Sequence, residues 1–434
     1  MQSVFRSQLL LVLVPVIVVS LVVGMVIPLR AETDWPQFRG TTGQGHADGR
    51  AFPLVWDHSN GVVWKTTLSG IGHSSPVHDG RTIWVTSARE HPPELLAIGI
   101  DAQTGKRLHE IVVFAPKTLE EIHKKNSYAS PTPVLYGGLL YVHFGTHGTA
   151  CIETTTGTIQ WTCTDFPVIH DGGAGSSPVL YRDLLIITLD GADTQRVVAL
   201  DCVTGQPRWI RKRSVPYPHN PIVKRAFSTP LVIQHEGRDM LISPAAQQCH
   251  AYDPATGEEL WHVRYSGFST VPRPVYDGTQ CLISTGYYKP QLWAVDPSGK
   301  GDVTETHVRW RFRGESPETP SPLIVRESAY LLSDKGILTI LDCQSGKRRG
   351  ALRLGGNYSA SPLYAGGLIY FCSEEGVIKI LDTRLEKPKV VQVNRMNSRI
   401  MASPAVLAGD LLIRTEDSLY RIQGAQESIP DEPL

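Results

Sequence analysis

Past residue 76 the apolar positions gather into short β-rich runs: Thr82 to Thr86, Leu139 to Phe144, Leu184 to Leu189, Cys281 to Ser284, Ala329 to Leu332, Leu368 to Phe371 and Leu411 to Arg414. Each is too short to stand alone as a strand. A proline step opens every unit, at Pro76, Pro133, Pro178, Pro230, Pro274, Pro322, Pro362 and Pro404, spaced 40 to 57 residues apart. Proline has no amide hydrogen, so it suits a strand start better than the inside of a ladder. Periods of this length predict blades of four short strands, because one such sheet cannot bury both faces alone.

A hairpin signal follows seven of the openings: DAQTG at Asp101, ETTTG at Glu153, DCVTG at Asp201, DPATG at Asp253, DPSG at Asp296, DCQSG at Asp342 and a degenerate DTRLE at Asp382. The acidic side chain accepts local amides and glycine supplies positive φ, which makes a tight turn. Trp161, Trp209, Trp261 and Trp310 come at or near the end of the next strand and are expected to pack between blades. The eighth unit, Ser403 to Ile422, stops before its turn and fourth strand, while Val62 to Leu68 is an unclaimed strand in which Trp64 sits like the outer tryptophans. The expected fold is therefore all-β: an eight-bladed β-propeller of four-stranded antiparallel blades, closed by the N-terminal strand, which removes open edges.

Composition adds little to that picture. The 434 residues carry 42 Lys+Arg and 42 Asp+Glu with 41% apolar residues, giving no net-charge argument for nucleic acid. The reading divides the chain into residues 1–31, a signal peptide or N-terminal membrane anchor; 32–61, a leader; 62–422, the propeller; and 423–434, an acidic tail. Leu9 to Leu29 is uncharged, with Arg6 before it and Arg30 after it, which predicts export. Residues 9–29 would contact membrane if retained, and Leu29 makes Ala31 an imperfect processing site. The expected location is the periplasm or the outer face of the cytoplasmic membrane. Seven dispersed cysteines include no CxxC; Cys151 and Cys163 flank one hairpin, and buried thiols are the stronger reading of them.

The Ser-Pro openings with Asp-x-x-Thr-Gly turns and tryptophan, clearest from Ser176 to Trp209 and from Phe227 to Trp261, resemble the pyrroloquinoline quinone (PQQ) repeat family and its eight-bladed propellers over residues 62–422. Trp35-Pro36-Gln37-Phe38-Arg39-Gly40 resembles the leader of exported planctomycete-type propellers. That resemblance implies two kinds of function. One is the quinoprotein alcohol or sugar dehydrogenases, which hold PQQ with calcium near the axis and use an aspartate base. The other is the scaffold lipoprotein of the β-barrel assembly machinery, which binds protein and no quinone. Adjacent cysteines and a CxxCH haem motif, found in some of the dehydrogenases, are absent from this sequence.

Three long polar loops precede innermost strands and should share one rim of the axial funnel. They supply the candidate ligand-binding set: His123 and Tyr128; His170 and Asp171; His219, Lys224 and Arg225. Such a set suits an anion, a metal or an acidic peptide. The His143/His147 pair and Asp190 to Asp193 lack a metal-ligand pattern, and no metal site is expected. The preferred function is a noncatalytic scaffold for an envelope protein or carbohydrate without a cofactor. The alternative is a PQQ-dependent dehydrogenase with Asp171 or Asp190 as base.

Overall fold

The computed structural model describes residues 34–423 apart from 50, 58, 59, 215 and 218; the segment 1–31 and the tail beyond 423 lie outside the described residues. Eight sheets form eight blades. Blade 1 spans 77–114, blade 2 134–163, blade 3 179–212, blade 4 231–264, blade 5 275–312, blade 6 323–353 and blade 7 363–395. Blade 8 takes three strands from 405–422 and its outermost from Val62–Thr67, which runs antiparallel to Ser418–Ile422 with Thr66 opposite Leu419. The chain thus closes its own ring, as the leftover strand predicts.

Burial follows strand position. A middle strand such as Leu368–Cys372 is buried on both faces, whereas the outer Arg348–Arg353 alternates exposed with half-buried. Two blades gain a parallel fifth strand: His46–Ala47 joins blade 7 and Gly301–Asp302 joins blade 4. The core lies mostly between blades, its largest cluster joining blades 7, 8 and 1.

The hairpin signals and the tryptophans prove to be two halves of one contact. Asp201 Oδ1 accepts the amides of Val203 and Thr204 at 3.0 and 2.9 Å, and Gly205 closes the turn at φ +70°. The indole of the preceding blade lies on that glycine and donates its N–H into the same turn: Trp161 to Cys202 O at 2.9 Å, Trp209 to Pro254 O at 3.2 Å and Trp310 to Cys343 O at 2.9 Å. Trp64 does this across the closure, to Ala102 O at 3.1 Å. Blades 6 and 7 have no outer tryptophan, and blade 7 is covered instead by the leader, where Tyr370 Oη donates to Pro53 O at 2.7 Å and Asn394 Nδ2 to Leu54 O at 2.9 Å.

All seven cysteines are free and buried. Cys151 pairs in register with Trp161, and Cys163 with Thr149, so the two face different partners.

Candidate functional site: the axial cavity

The residue before each opening proline builds a ring around the axis. Seven of these eight backbone N–H groups donate to the hydroxyl of the next blade, beginning with Ser75 to Thr132, Thr132 to Ser177 and Ser177 to Thr229, all at 2.9 Å. The chain resumes from Arg273 to Ser321 (3.0 Å), Ser321 to Ser361 (3.0 Å), Ser361 to Ser403 (2.8 Å) and Ser403 back to Ser75 (3.1 Å). The Ser-Pro repeat is therefore structural: the hydroxyl satisfies an amide that no ladder reaches. Blade 5 alone breaks it, placing Arg273 where the others have Ser or Thr.

Arg273 ties down the leader. Its Nη1 donates to Phe38 O at 2.6 Å and its Nε to Pro230 O at 3.1 Å. Trp35 bridges His78 of blade 1, Pro36 O accepts from Leu135 N of blade 2 at 2.8 Å, and Gly45 O accepts from Tyr364 N of blade 7 at 2.8 Å. His78, Leu135 and Tyr364 lie on the innermost strands past the ring residues, so the leader crosses beneath the ring and Phe38 reaches the cavity from below. Burial pushes the Arg273 and Arg39 guanidiniums down to about 9, Arg39 further through its neighbour Arg273.

Above Phe38 the cavity encloses about 610 Å³, walled by seven of the ring hydroxyls and by the loops that enter the innermost strands. The rim is charged on both signs. Lys125 Nζ lies 2.9 Å from Glu374, Arg225 Nη1 lies 3.5 Å from Asp171, and Asp334 Oδ2 accepts the Glu318 amide at 2.8 Å. Burial, then the neighbouring Asp334, raises the Glu318 carboxyl; burial, then Arg414 and Arg399, lowers the His73 imidazole to about 4. Apolar groups punctuate that rim: Ile222, Phe227, Phe268, Tyr287 and Met401.

Of the seven residues expected to converge, His123, Asp171 and Arg225 line the cavity. The other four stand outside its wall. Tyr128 turns into the blade 1–2 core and donates to Glu120 O at 2.7 Å. His170 is buried against Phe227, which lowers its imidazole pKa. His219 is exposed, and Lys224 is half-buried in a short 3-10 turn. The three loops do share one rim, since Asn126 Nδ2 donates to Gly172 O at 2.7 Å and Arg225 Nη1 lies 3.5 Å from Asp171. Sequence reading missed Phe268, Tyr287 and Glu318. For Phe268 and Glu318 the repeat itself offered the signal, because the positions just before Pro274 and Pro322 are equivalent to the three loops chosen by length; Tyr287 lies between the second and third strands of blade 5 and had no such signal.

A calcium-held quinone fits these residues poorly. Among the described residues, the only trio of His, Cys, Asp or Glu close enough to share an ion is His250, Glu259 and His262, outside this wall. Within the wall, Asp171 faces Arg225 and Asp334 is engaged by backbone amides. Asp190, considered as a base, is not in the wall; it forms a buried bidentate pair with Arg213 at 3.0 and 2.6 Å.

The profile of the family described as outer membrane protein assembly factor BamB matches residues 47–161, 89–211, 123–243 and 222–428. The chain is 24% identical over 305 residues to a tetrathionate hydrolase of Acidithiobacillus ferrooxidans, covering 63% of this chain and 52% of that protein. It therefore spans about half the length of this curated relative. Among solved structures, BamB from Moraxella catarrhalis superposes with a TM-score of 0.57 at 13% identity, over 83% of this chain and 99% of that one. A europium-containing methanol dehydrogenase superposes with a TM-score of 0.65 at 12% identity, over 91% and 98%. At such identities the likeness shows the fold alone. No described helix is long and apolar enough to cross a membrane.

Proposed function

The chain belongs to the outer membrane protein assembly factor BamB family, and from that premise we propose that it is an exported, noncatalytic propeller whose axial funnel binds a segment of an envelope protein. The observation that carries this reading is the solvent-exposed apolar mouth of the cavity. Ile222 and Tyr287 line the wall yet are each 48% exposed, and Tyr288 beside them is 69% exposed. Clustered apolar anchors inside a polar rim are how protein interfaces concentrate their energy. Lys125, Arg225, Asp171 and Glu318 supply that rim and would orient a bound chain rather than drive its binding.

The test compares affinity purification of the full chain from envelope extracts with that of the Ile222→Glu/Tyr287→Asp double variant. At about 1–2 kcal/mol per lost anchor, a specific partner should be recovered at least about tenfold less by the variant. Equal recovery by both proteins would overturn the reading. So would stoichiometric uptake of PQQ with calcium coupled to dye reduction by an alcohol or sugar, which would favour a dehydrogenase.

A further inference from the structure

The two outer strands of blade 4, Gln248–Tyr252 and Glu259–Arg264, place His250 opposite His262 and Tyr252 opposite Glu259. Strand alternation alone would send Glu259 and His262, three positions apart, to opposite faces. The register slips between Ala251 and Tyr252, whose partners are Trp261 and Glu259, leaving Leu260 as an extra residue. That bulge brings Glu259 onto the face of His262. His250 Nδ1 then lies 3.2 Å from one Glu259 oxygen and His262 Nδ1 2.7 Å from the other.

His250 gives the cluster its chemistry. Its side chain is fully buried, and its Nε2 lies 2.8 Å from Gln248 Oε1. With that oxygen as acceptor the ring proton sits on Nε2, so Nδ1 turns its lone pair toward Glu259. This nitrogen has no hydrogen-bond partner, because its approach to the carboxylate lacks the alignment of a bond. A buried lone pair facing a carboxylate is unfavourable, and a cation held between them removes that cost.

We propose that His250, Glu259 and His262 bind one divalent cation of borderline softness, zinc or a neighbouring transition metal, on the outer part of blade 4 and away from the axial cavity. Two imidazoles and a carboxylate with ligand atoms within 4.8 Å of one another form a three-ligand set that leaves a fourth position for water. Side-chain exposures of 24% at Glu259 and 18% at His262 give the ion a way in. Calcium and magnesium would demand more oxygens. Gln248 holds the far nitrogen of His250, as outer partners of zinc-bound histidines do.

The full chain, stripped with a chelator, is titrated with zinc chloride by calorimetry and with cobalt chloride by visible absorbance. One equivalent should bind, cobalt should show tetrahedral ligand-field bands, and Glu259→Gln or His262→Ala should weaken binding at least about tenfold. Circular dichroism reports folding; if His262→Ala does not fold, the isosteric Glu259→Gln decides. Less than about 0.1 equivalent bound by the unaltered chain at saturating zinc, or unchanged affinity in Glu259→Gln, would overturn the assignment.

Discussion

Truncating Trp64 to alanine should cost the ring about 3–5 kcal/mol, the range for deleting a large buried aromatic. Trp64 is only 8% exposed, lies on Gly105 of blade 1 and belongs to the strand that completes blade 8. Trp64→Phe separates packing from hydrogen bonding. It loses the 3.1 Å bond to Ala102 O, but that carbonyl still accepts from Arg421 Nη1 at 2.9 Å, so nothing is orphaned. The phenylalanine loss should be about 0.5–1.5 kcal/mol. With an unfolding entropy of about 2.1 cal/mol/K per residue over roughly 390 residues, 1 kcal/mol moves the midpoint by about 1.2 °C. Scanning calorimetry should thus record falls of about 4–6 °C for alanine and about 1–2 °C for phenylalanine. A fall below about 1 °C for alanine, or equal falls for both, would refute the reasoning that this indole clamps the closure.

Gly205→Ala should lose about 1–3 kcal/mol more than Gly137→Ala in urea unfolding, because both have positive φ but only the Gly205 site would press a Cβ to 2.6 Å from an indole, that of Trp161; equal losses would show that the indole contact contributes nothing. Asp190→Asn should cost about 3–5 kcal/mol by leaving the buried Arg213 unpaired, read as a lower thermal midpoint; a variant of unchanged stability would contradict the pairing. Burial lowers His73, His78 and His250 to about 4 and His143 to about 3, from an ordinary 6.5. The unfolded chain therefore binds more protons across that window, and stability complete above pH 6.5 should fall steadily toward pH 4. Calorimetric midpoints that stay flat or rise on acidification over this range would contradict it.

The ring was legible in the sequence because its signals repeat and each has a local cause. Proline starts an innermost strand, Asp with Gly makes the turn, and tryptophan covers the next turn, so eight prolines, seven turn signals and five tryptophans reinforce one another. The final blade was legible by subtraction, since Val62 to Leu68 had no partner and Ser403 to Ile422 lacked a strand. What the leader does was not legible: Phe38 and Arg39 meet Arg273 and Pro322, contacts more than 230 residues apart with no periodicity. The candidate site was half legible. Loop polarity picked out His123, Asp171 and Arg225, which line the cavity, yet it cannot tell which way a side chain turns, and Tyr128 and His170 point into packed interior. The His250 cluster was hidden for a different reason, because a one-residue bulge at Leu260 reverses the face that simple alternation assigns.

The most direct measurement is site-specific photocrosslinking in living cells, with a photoreactive side chain at Ile222 or Tyr287 on the mouth and, as a control, at the exposed Arg353 on the outer strand of blade 6. The account predicts the same envelope protein captured from both mouth positions and not from Arg353. Capture only from Arg353, or no protein captured from the mouth while the purified chain carries bound quinone, would contradict it.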